Sequence, residues 1–84
     1  MNKSSLLDAL IDAFLKIKTK KEMHEFLVGI LTRAELEEIP TRLEIVKMLK
    51  AGVSQHEIAK KLNVGVGTVT RGSKELQEGR FKNV

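Results

Sequence analysis

Cysteine, tryptophan and tyrosine are absent from the 84-residue sequence, and proline occurs only once. Without cysteine, neither a disulfide framework nor a thiolate metal site can form. No apolar run approaches the roughly 20 residues of a membrane span, and the N-terminus lacks the pattern of a secretory signal. We therefore expect a cytoplasmic protein that has no disulfide framework and does not span a membrane.

Patterns that carry catalysis are also missing. The two histidines, His24 and His56, lie on separate predicted helices without metal-ligand spacing around them. No Ser/His/Asp arrangement and no phosphate-binding loop appears. The stretch Gly65-Val66-Gly67 follows no predicted strand, so we interpret it as turn chemistry and not as a dinucleotide fingerprint. We expect no enzymatic activity and no metal site.

The size and charge of the chain point to a small domain with a basic end. A core of this size is marginal alone, so a partner subunit would help considerably. Fifteen basic residues stand against eleven acidic ones, which leaves a net charge of +4. From Ala51 onward the sequence has six basic and three acidic residues, so three of the four excess charges lie there. This balance is compatible with binding to nucleic acid but does not establish it.

The segment from Ser54 to Leu76 predicts two short helices joined by a tight turn. Ser54 followed by Glu57 forms a capping box at the start of the first helix. Asn63 tolerates the left-handed backbone that a sharp turn needs. The small Ala59 lets the two helices cross closely, and the inward face of the first helix comprises Ile58, Ala59 and Leu62. This pattern is typical of a DNA-binding helix-turn-helix.

The second helix of this segment is expected to present a small, polar face to DNA. It should bury Val66, Val69 and Leu76 and leave Gly67, Thr68, Thr70, Arg71 and Lys74 outward. The threonines can reach base edges directly or through water, whereas the arginine and lysine would hold phosphates. The full set of predicted DNA contacts is Gln55, His56, Lys60, Val66, Gly67, Thr68, Thr70, Arg71 and Lys74.

Three further helices are predicted before this segment. Ser4 and Ser5 are candidate caps for the first, which runs to about Ile17, and Thr19 with Glu22 caps the second. The apolar stripe of the first helix comprises Leu7, Leu10, Ile11, Phe14 and Leu15. The second helix is expected to bury Met23, Phe26, Leu27, Ile30 and Leu31.

The third helix begins at a capping box formed by Thr32 and Glu35 and ends at Ala51-Gly52. Pro40 removes one backbone donor, so a kink or a break is expected near Ile39. The prediction is thus an all-α fold of five helices in one domain. Residues 1–51 form the core and dimerisation helices, 52–77 the helix-turn-helix, and 78–84 a flexible polar tail.

The long apolar stripes of the first three helices predict a homodimer. One small helix-turn-helix cannot cover these faces, so a second copy of the chain is expected to do so. A dimer also suits the mechanism, because two recognition helices one DNA turn apart read a near-palindromic site.

The segments TRLEIVKMLKAG and SQHEIAKKLNVGVGTVTRGSKEL resemble the tryptophan repressor family closely. Residues Thr68 to Lys74 match the end of the recognition helix of that family, and Leu31-Thr32 and Thr41-Arg42 also fall in register. The N-terminal helices and the RLEIVKML segment look more like the TrpR-related branch of the YerC/YecD type. The resemblance covers roughly Leu6 to Leu76. It implies an interlocked homodimer that binds double-stranded DNA and represses transcription.

The resemblance also implies a ligand site. In the family, two arginines sandwich the indole ring of bound tryptophan, and Arg42 and Arg71 match them. A guanidinium stacks flat on an aromatic ring and can also hold a carboxylate. The remaining matches are Leu31 at a pocket wall, Thr32 as a nearby hydroxyl and Gly72 as the residue that leaves the ligand room.

Two positions depart from the family pattern. Gly29 stands where the family has leucine, and Glu75 stands where a serine meets the amino group of the ligand. A carboxylate there could receive an ammonium group, yet it would repel the ligand's carboxylate if poorly placed. L-tryptophan or a related small molecule is therefore a candidate co-repressor.

Several alternatives remain open at this point. Arg42 and Arg71 could instead contact phosphates or pair with nearby glutamates, which would leave a regulator that binds DNA without a ligand. A helical protein-interaction module with weak DNA binding is a second alternative, and a fragment of a larger recombinase or transposase is a third. Salt-sensitive, sequence-selective DNA binding would separate these interpretations.

Overall fold

The computed structural model describes residues 2–84, and within that range it contains five α-helices and no strand. The helices are α1 (Lys3–Lys16), α2 (Lys20–Ile30), α3 (Arg33–Lys50), α4 (Gln55–Leu62) and α5 (Val66–Gln77). The predicted all-α, five-helix architecture is confirmed. The chain divides within α3 into two compact units, the first ending at Leu36 and the second covering Glu37–Val84. Across residues 2–84 no helix combines the length and the apolar character needed to cross a bilayer.

Three helices begin at the caps that the sequence predicts. The Thr19 hydroxyl accepts a backbone hydrogen bond three residues into α2 at 3.1 Å, and Ser54 does the same for α4 at 3.2 Å. At the start of α3 the box is reciprocal, because Thr32 Oγ1 accepts from the Glu35 N–H and Glu35 Oε1 accepts from the Thr32 N–H. These bonds satisfy donors that the first turn of a helix otherwise leaves unpaired.

The first helix begins earlier than predicted. Asn2 is its cap, with Oδ1 accepting from the Ser5 N–H at 2.8 Å, so Ser4 and Ser5 lie inside α1 and do not cap it. Asparagine is at least as good a cap as serine, and the most N-terminal good cap starts the helix here.

Pro40 does not break the third helix. It lies inside α3, which continues without interruption to Lys50. A proline removes a single backbone donor, and the flanking turns keep the helix together despite that loss. The Thr41 hydroxyl, next to the proline, donates to the Glu37 carbonyl at 2.7 Å. The sequence predicts a kink or a break near Ile39; the break is wrong, because α3 is continuous through Pro40, and the kink stays a prediction.

The buried core lies in the unit formed by Glu37–Val84. It joins α3, α4 and α5 through Ile45, Ile58, Ala59 and Val69, each at most 8 % exposed. The half-buried side chains packed against it are Met48, Leu49, Val53, Leu62 and Val64. Gly52, at φ 85°, turns the chain between α3 and α4, as the Ala51-Gly52 pair predicted. This core fixes the position of α5.

The first unit has apolar faces but no buried residue in α1 or α2. Phe14 and Phe26 meet edge to face, with ring centroids 5.4 Å apart. Phe26 is only half-buried and Ile30 is 50 % exposed, so the predicted burial of the α2 face does not occur within one chain. The exposed apolar side chains of this unit are Leu6, Leu7, Ile11, Phe14, Leu15, Val28 and Ile30.

Candidate nucleic-acid interface

Helices α4 and α5 are joined by a turn of three residues whose backbone explains its sharpness. Asn63 adopts the left-handed conformation, with φ 54° and ψ 49°, as its residue type predicted. The N–H groups of Asn63 and Val64 both bond the Ala59 carbonyl, which closes the end of α4. Gly65 then caps α5 without any side-chain hydrogen bond. The chain therefore reverses within three residues and brings α5 against α4.

The outward face of α5 is the one that the sequence predicted, with one difference. Gly67, Thr68, Thr70, Arg71 and Lys74 are all exposed, and Val69 is completely buried against α4. Leu76 is half-buried.

The difference is Val66. It was predicted to be buried, but it is 41 % exposed at the first position of α5. One residue from the turn, it lies at the edge of the helix contact. The N-terminal end of α5 thus presents a valine methyl pair, a glycine and a threonine side by side.

The predicted contacts on α4 lie at its first turns. His56 and Lys60 are exposed, and Gln55 is half-buried. The Thr70 hydroxyl lies 2.8 Å from Gln55 Oε1 and 3.0 Å from the Val66 carbonyl, so a side-chain hydrogen bond joins the two helices at their exposed edge. Sequence patterns do not reveal this bond, since the two residues are fifteen positions apart.

The cations of this surface are not used inside the protein. Among residues 2–84 the ion pairs are those of Arg80 with Glu75 and Glu78, at 3.4 and 3.7 Å. Lys60, Arg71 and Lys74 take part in neither. Their charges are therefore available to an external anion.

A cavity of about 330 Å³ lies between α3 and α5 and shares Gly67, Thr68 and Arg71 with this surface. It brings together four residues of the predicted ligand site: Arg42, Arg71, Gly72 and Glu75. Its other lining residues are Ile45, Val46, Gly67, Thr68 and Phe81. Leu31 and Thr32 are not among the lining residues and belong to the unit that ends at Leu36.

Gly72 is the close-contact position of the cavity. A Cβ atom there would lie 3.2 Å from Cγ2 of Ile45 and 3.8 Å from Cδ1 of Leu49. Ile45 is buried, so a side chain at position 72 would press on a packed residue and narrow the cavity.

The segment after α5 completes the cavity, which the sequence did not predict. Lys50 Nζ donates to the carbonyls of Phe81 and Val84 at 2.7 and 2.6 Å. Residues 78–83 form turns, with Gly79 at φ 84°, and the half-buried Phe81 lines the cavity. The available signal was a single phenylalanine in an otherwise polar stretch.

Known proteins resemble this chain over nearly its whole length. The family model described as Trp repressor protein matches residues 5–83. A Trp operon repressor homolog of Xylella fastidiosa (strain M23) is 33% identical over 84 residues, covering 99% of this chain and 91% of the relative. The homolog of Chlamydia caviae is 41% identical over 70 residues, or 80% and 69% of the two chains. No solved structure matches significantly. The chain belongs to the Trp repressor family.

Proposed function

We propose that this protein is a homodimeric, sequence-specific DNA-binding regulator of transcription that inserts α5 into the major groove. The Trp repressor family is a regulatory DNA-binding family and not a family of enzymes. The observation that carries the proposal is the exposed, small-residue end of α5, held by the buried Val69 and backed by unpaired cations. The relatives are named Trp operon repressor homologs, which favours repression over activation.

The end of α5 has the shape that groove entry requires. Apart from its chain neighbours and the backbone of its own helix, nothing lies within 4 Å of the position that a Cβ of Gly67 would take, so no packed side chain obstructs the approach to a base pair. The Thr68 hydroxyl makes no hydrogen bond in the part of the chain that the structure describes, so it can both donate and accept at base edges. The exposed methyl groups of Val66 can contact a thymine methyl.

Phosphate contacts would fix the orientation of the helix. Arg71 and Lys74 lie on the exposed face of α5, and His56 and Lys60 on that of α4. Contacts of this kind hold a protein on the duplex without reading sequence. They also make the affinity fall with salt, because each one releases a counterion.

The exposed apolar faces of the chain support a homodimer as the binding species. Leu7 and Leu15 are 57 % and 67 % exposed, and in the other unit Ile39 and Leu43 are 41 % exposed. Monomeric proteins seldom leave large contiguous apolar surface in water. A second copy carries the same faces and would cover them by symmetry, which also supplies two copies of α5 for a near-palindromic site.

The lining of the cavity suits a small aromatic effector that carries a carboxylate. Arg42 and Arg71 line it without a hydrogen bond or ion pair in the described residues, while Ile45 and Val46 give it an apolar floor. Its volume of about 330 Å³ suits a single-ring or two-ring compound. L-tryptophan is the first compound to test, and the ion pair of Glu75 with Arg80 competes for the carboxylate that would receive its ammonium group.

Two experiments test these proposals. Duplexes selected from a random pool should bind with a strong salt dependence and at least ~10³-fold more tightly than shuffled duplexes. A helical interaction module would give weak binding without preference. Separately, the chain contains no tryptophan or tyrosine, so the emission of added L-tryptophan can be followed against a dark protein. A saturable shift that is lost in Arg42→Ala indicates an effector site; no shift at millimolar concentration indicates a regulator that does not bind tryptophan.

A further inference from the structure

The side-chain hydrogen bond between α4 and α5 gives the two exposed threonines, Thr68 and Thr70, different capacities for binding DNA. Thr70 Oγ1 lies 2.8 Å from Gln55 Oε1 and 3.0 Å from the Val66 carbonyl. A hydroxyl has a single hydrogen to donate, both neighbours are acceptors, and the Gln55 oxygen is the nearer of the two. The donor capacity of Thr70 is therefore committed inside the protein. Thr68, two residues earlier on the same helix, has no such bond in the described part of the chain.

The same bond orients Gln55. Its carbonyl oxygen accepts from Thr70, and its amide NH₂ group has no protein partner among residues 2–84. Gln55 is the first residue of α4 and is half-buried, so the stem of its side chain is partly held by packing. The end that remains available is a pair of N–H donors, and because the first helix of a helix-turn-helix crosses the DNA backbone, the acceptor expected there is a phosphate oxygen.

We infer that Thr70 is a positioning residue, which holds the Gln55 amide so that its NH₂ group donates to a DNA phosphate, and that Thr68 is the threonine that reads bases. This inference rests on the proposed function and deepens it, since it separates orientation from sequence reading within one helix-turn-helix. A glutamine held in its bound conformation before contact loses less rotamer freedom on binding.

Four variants separate this arrangement from direct reading by Thr70. Thr70→Val keeps the size and the β-branch but removes the hydroxyl, whereas Thr70→Ser keeps the hydroxyl and is the matched control. Gln55→Ala removes the amide, and the double variant Gln55→Ala/Thr70→Val measures the coupling between the two positions. Fluorescence anisotropy with a selected duplex and a shuffled duplex gives the affinities, and far-UV circular dichroism verifies that each variant is folded.

If Thr70 holds Gln55 in this way, the variants should show a specific pattern of affinities for the two duplexes. Thr70→Val should weaken binding to both duplexes by roughly 3- to 10-fold, because the lost contact is to phosphate and carries no sequence information. Thr70→Ser should bind like the wild type. In the Gln55→Ala background the additional loss from Thr70→Val should disappear. A loss confined to the selected duplex, or one that persists in full without Gln55, would overturn the inference.

NMR of the free protein tests the hydrogen bond between Thr70 and Gln55 independently of DNA binding. The sequence has only two glutamines, Gln55 and Gln77, so the side-chain amide signals of Gln55 are readily assigned by NMR. In the free protein, Thr70→Val should shift the Gln55 NH₂ signals and leave those of Gln77 in place, with Thr70→Ser close to the wild type. Unchanged Gln55 signals would refute the bond itself. An intact bond in a protein that binds no duplex would refute the proposed function and, with it, the phosphate role of Gln55.

Discussion

Two valines three residues apart on α5 have opposite environments, and this difference gives a quantitative test of how the helix is held. Val69 is completely buried against α4, whereas Val66 is 41 % exposed at the start of the helix. Replacement of each by alanine removes the same two methyl carbons. The buried position should control stability, and the exposed one should control DNA affinity.

The expected loss for Val69→Ala can be worked out from burial. Two buried carbon groups contribute about 1.6 kcal/mol by transfer, at ~0.8 kcal/mol each. If the core does not collapse around the roughly 40 Å³ that is vacated, the remaining cavity adds about 1 kcal/mol. The better helix propensity of alanine returns ~0.5 kcal/mol. The net destabilisation is about 2 kcal/mol, which in a domain of this size lowers Tm by roughly 8–16 °C.

Val66→Ala should have little effect on folding. The side chain is 41 % exposed, so the transfer loss is reduced to about 0.9 kcal/mol and no closed cavity forms. Helix propensity offsets ~0.5 kcal/mol of it, which leaves under ~0.5 kcal/mol. The affinity for a selected duplex should nevertheless fall by about 1 kcal/mol, because methyl groups that could contact a thymine are gone.

Urea unfolding followed by circular dichroism at 222 nm measures the stabilities, and anisotropy measures the affinities. Protein concentration must be fixed, since the stability of the proposed dimer would depend on it. Equal destabilisation by the two substitutions would refute the packing of α5 described above. Unchanged DNA affinity in Val66→Ala would instead show that Val66 does not contact the bases.

Four further outcomes follow from the structure. Thr68→Ala should lose about 1–3 kcal/mol on a selected duplex and almost nothing on a shuffled one, measured by anisotropy; equal losses would mean that Thr68 does not specify sequence. Lys74→Ala should weaken binding to every duplex and reduce the slope of log K against log salt by about 1, and an unchanged slope would exclude a phosphate contact. Ile11→Glu should shift sedimentation at micromolar concentration from dimer to monomer, because it places a charge on an apolar face; a wild type that is already monomeric would contradict the homodimer. Gly72→Ala should change Tm by no more than a few degrees, since the helix propensity gain of ~1 kcal/mol offsets the close contact with Ile45. The same substitution should abolish any emission shift of added L-tryptophan. An undiminished shift would place the ligand elsewhere.

Much of the local structure was predictable because single residues determine it. Thr19, Thr32 and Ser54 each satisfy a backbone donor at a helix start, and Asn63 is one of the few residue types that readily adopts a left-handed conformation. These effects act over three or four residues. The periodicity of α4 and α5 likewise placed Ile58 and Val69 in the core correctly.

Other features were not predictable, because they depend on a choice between neighbouring residues or on contacts between residues that are far apart in sequence. Asn2 caps α1 ahead of Ser4 and Ser5, and no pattern decides between three good caps within four residues. The exposure of Val66 depends on where α5 ends its contact with α4, which periodicity does not reveal. The Phe81 contact depends on the hydrogen bond from Lys50, thirty-one residues earlier.

There is also a physical reason why the sequence did not predict that the apolar faces of α1 and α2 stay exposed within one chain. Helical periodicity identifies an apolar face but not what covers it. The faces of α1 and α2 satisfy the pattern, yet no residue of either helix is buried within one chain. Such a face is completed only by another surface, and the sequence of one chain does not state which surface that is.

The most direct test of whether α5 enters the DNA groove is a map of backbone amide shifts when a selected duplex is added to the protein. We predict that the largest changes fall on α5 from Val66 to Arg71 and on the first turn of α4, at a stoichiometry of two chains per duplex. Changes concentrated on α1 and α2, with α5 unaffected, would contradict the claim that α5 enters the DNA groove.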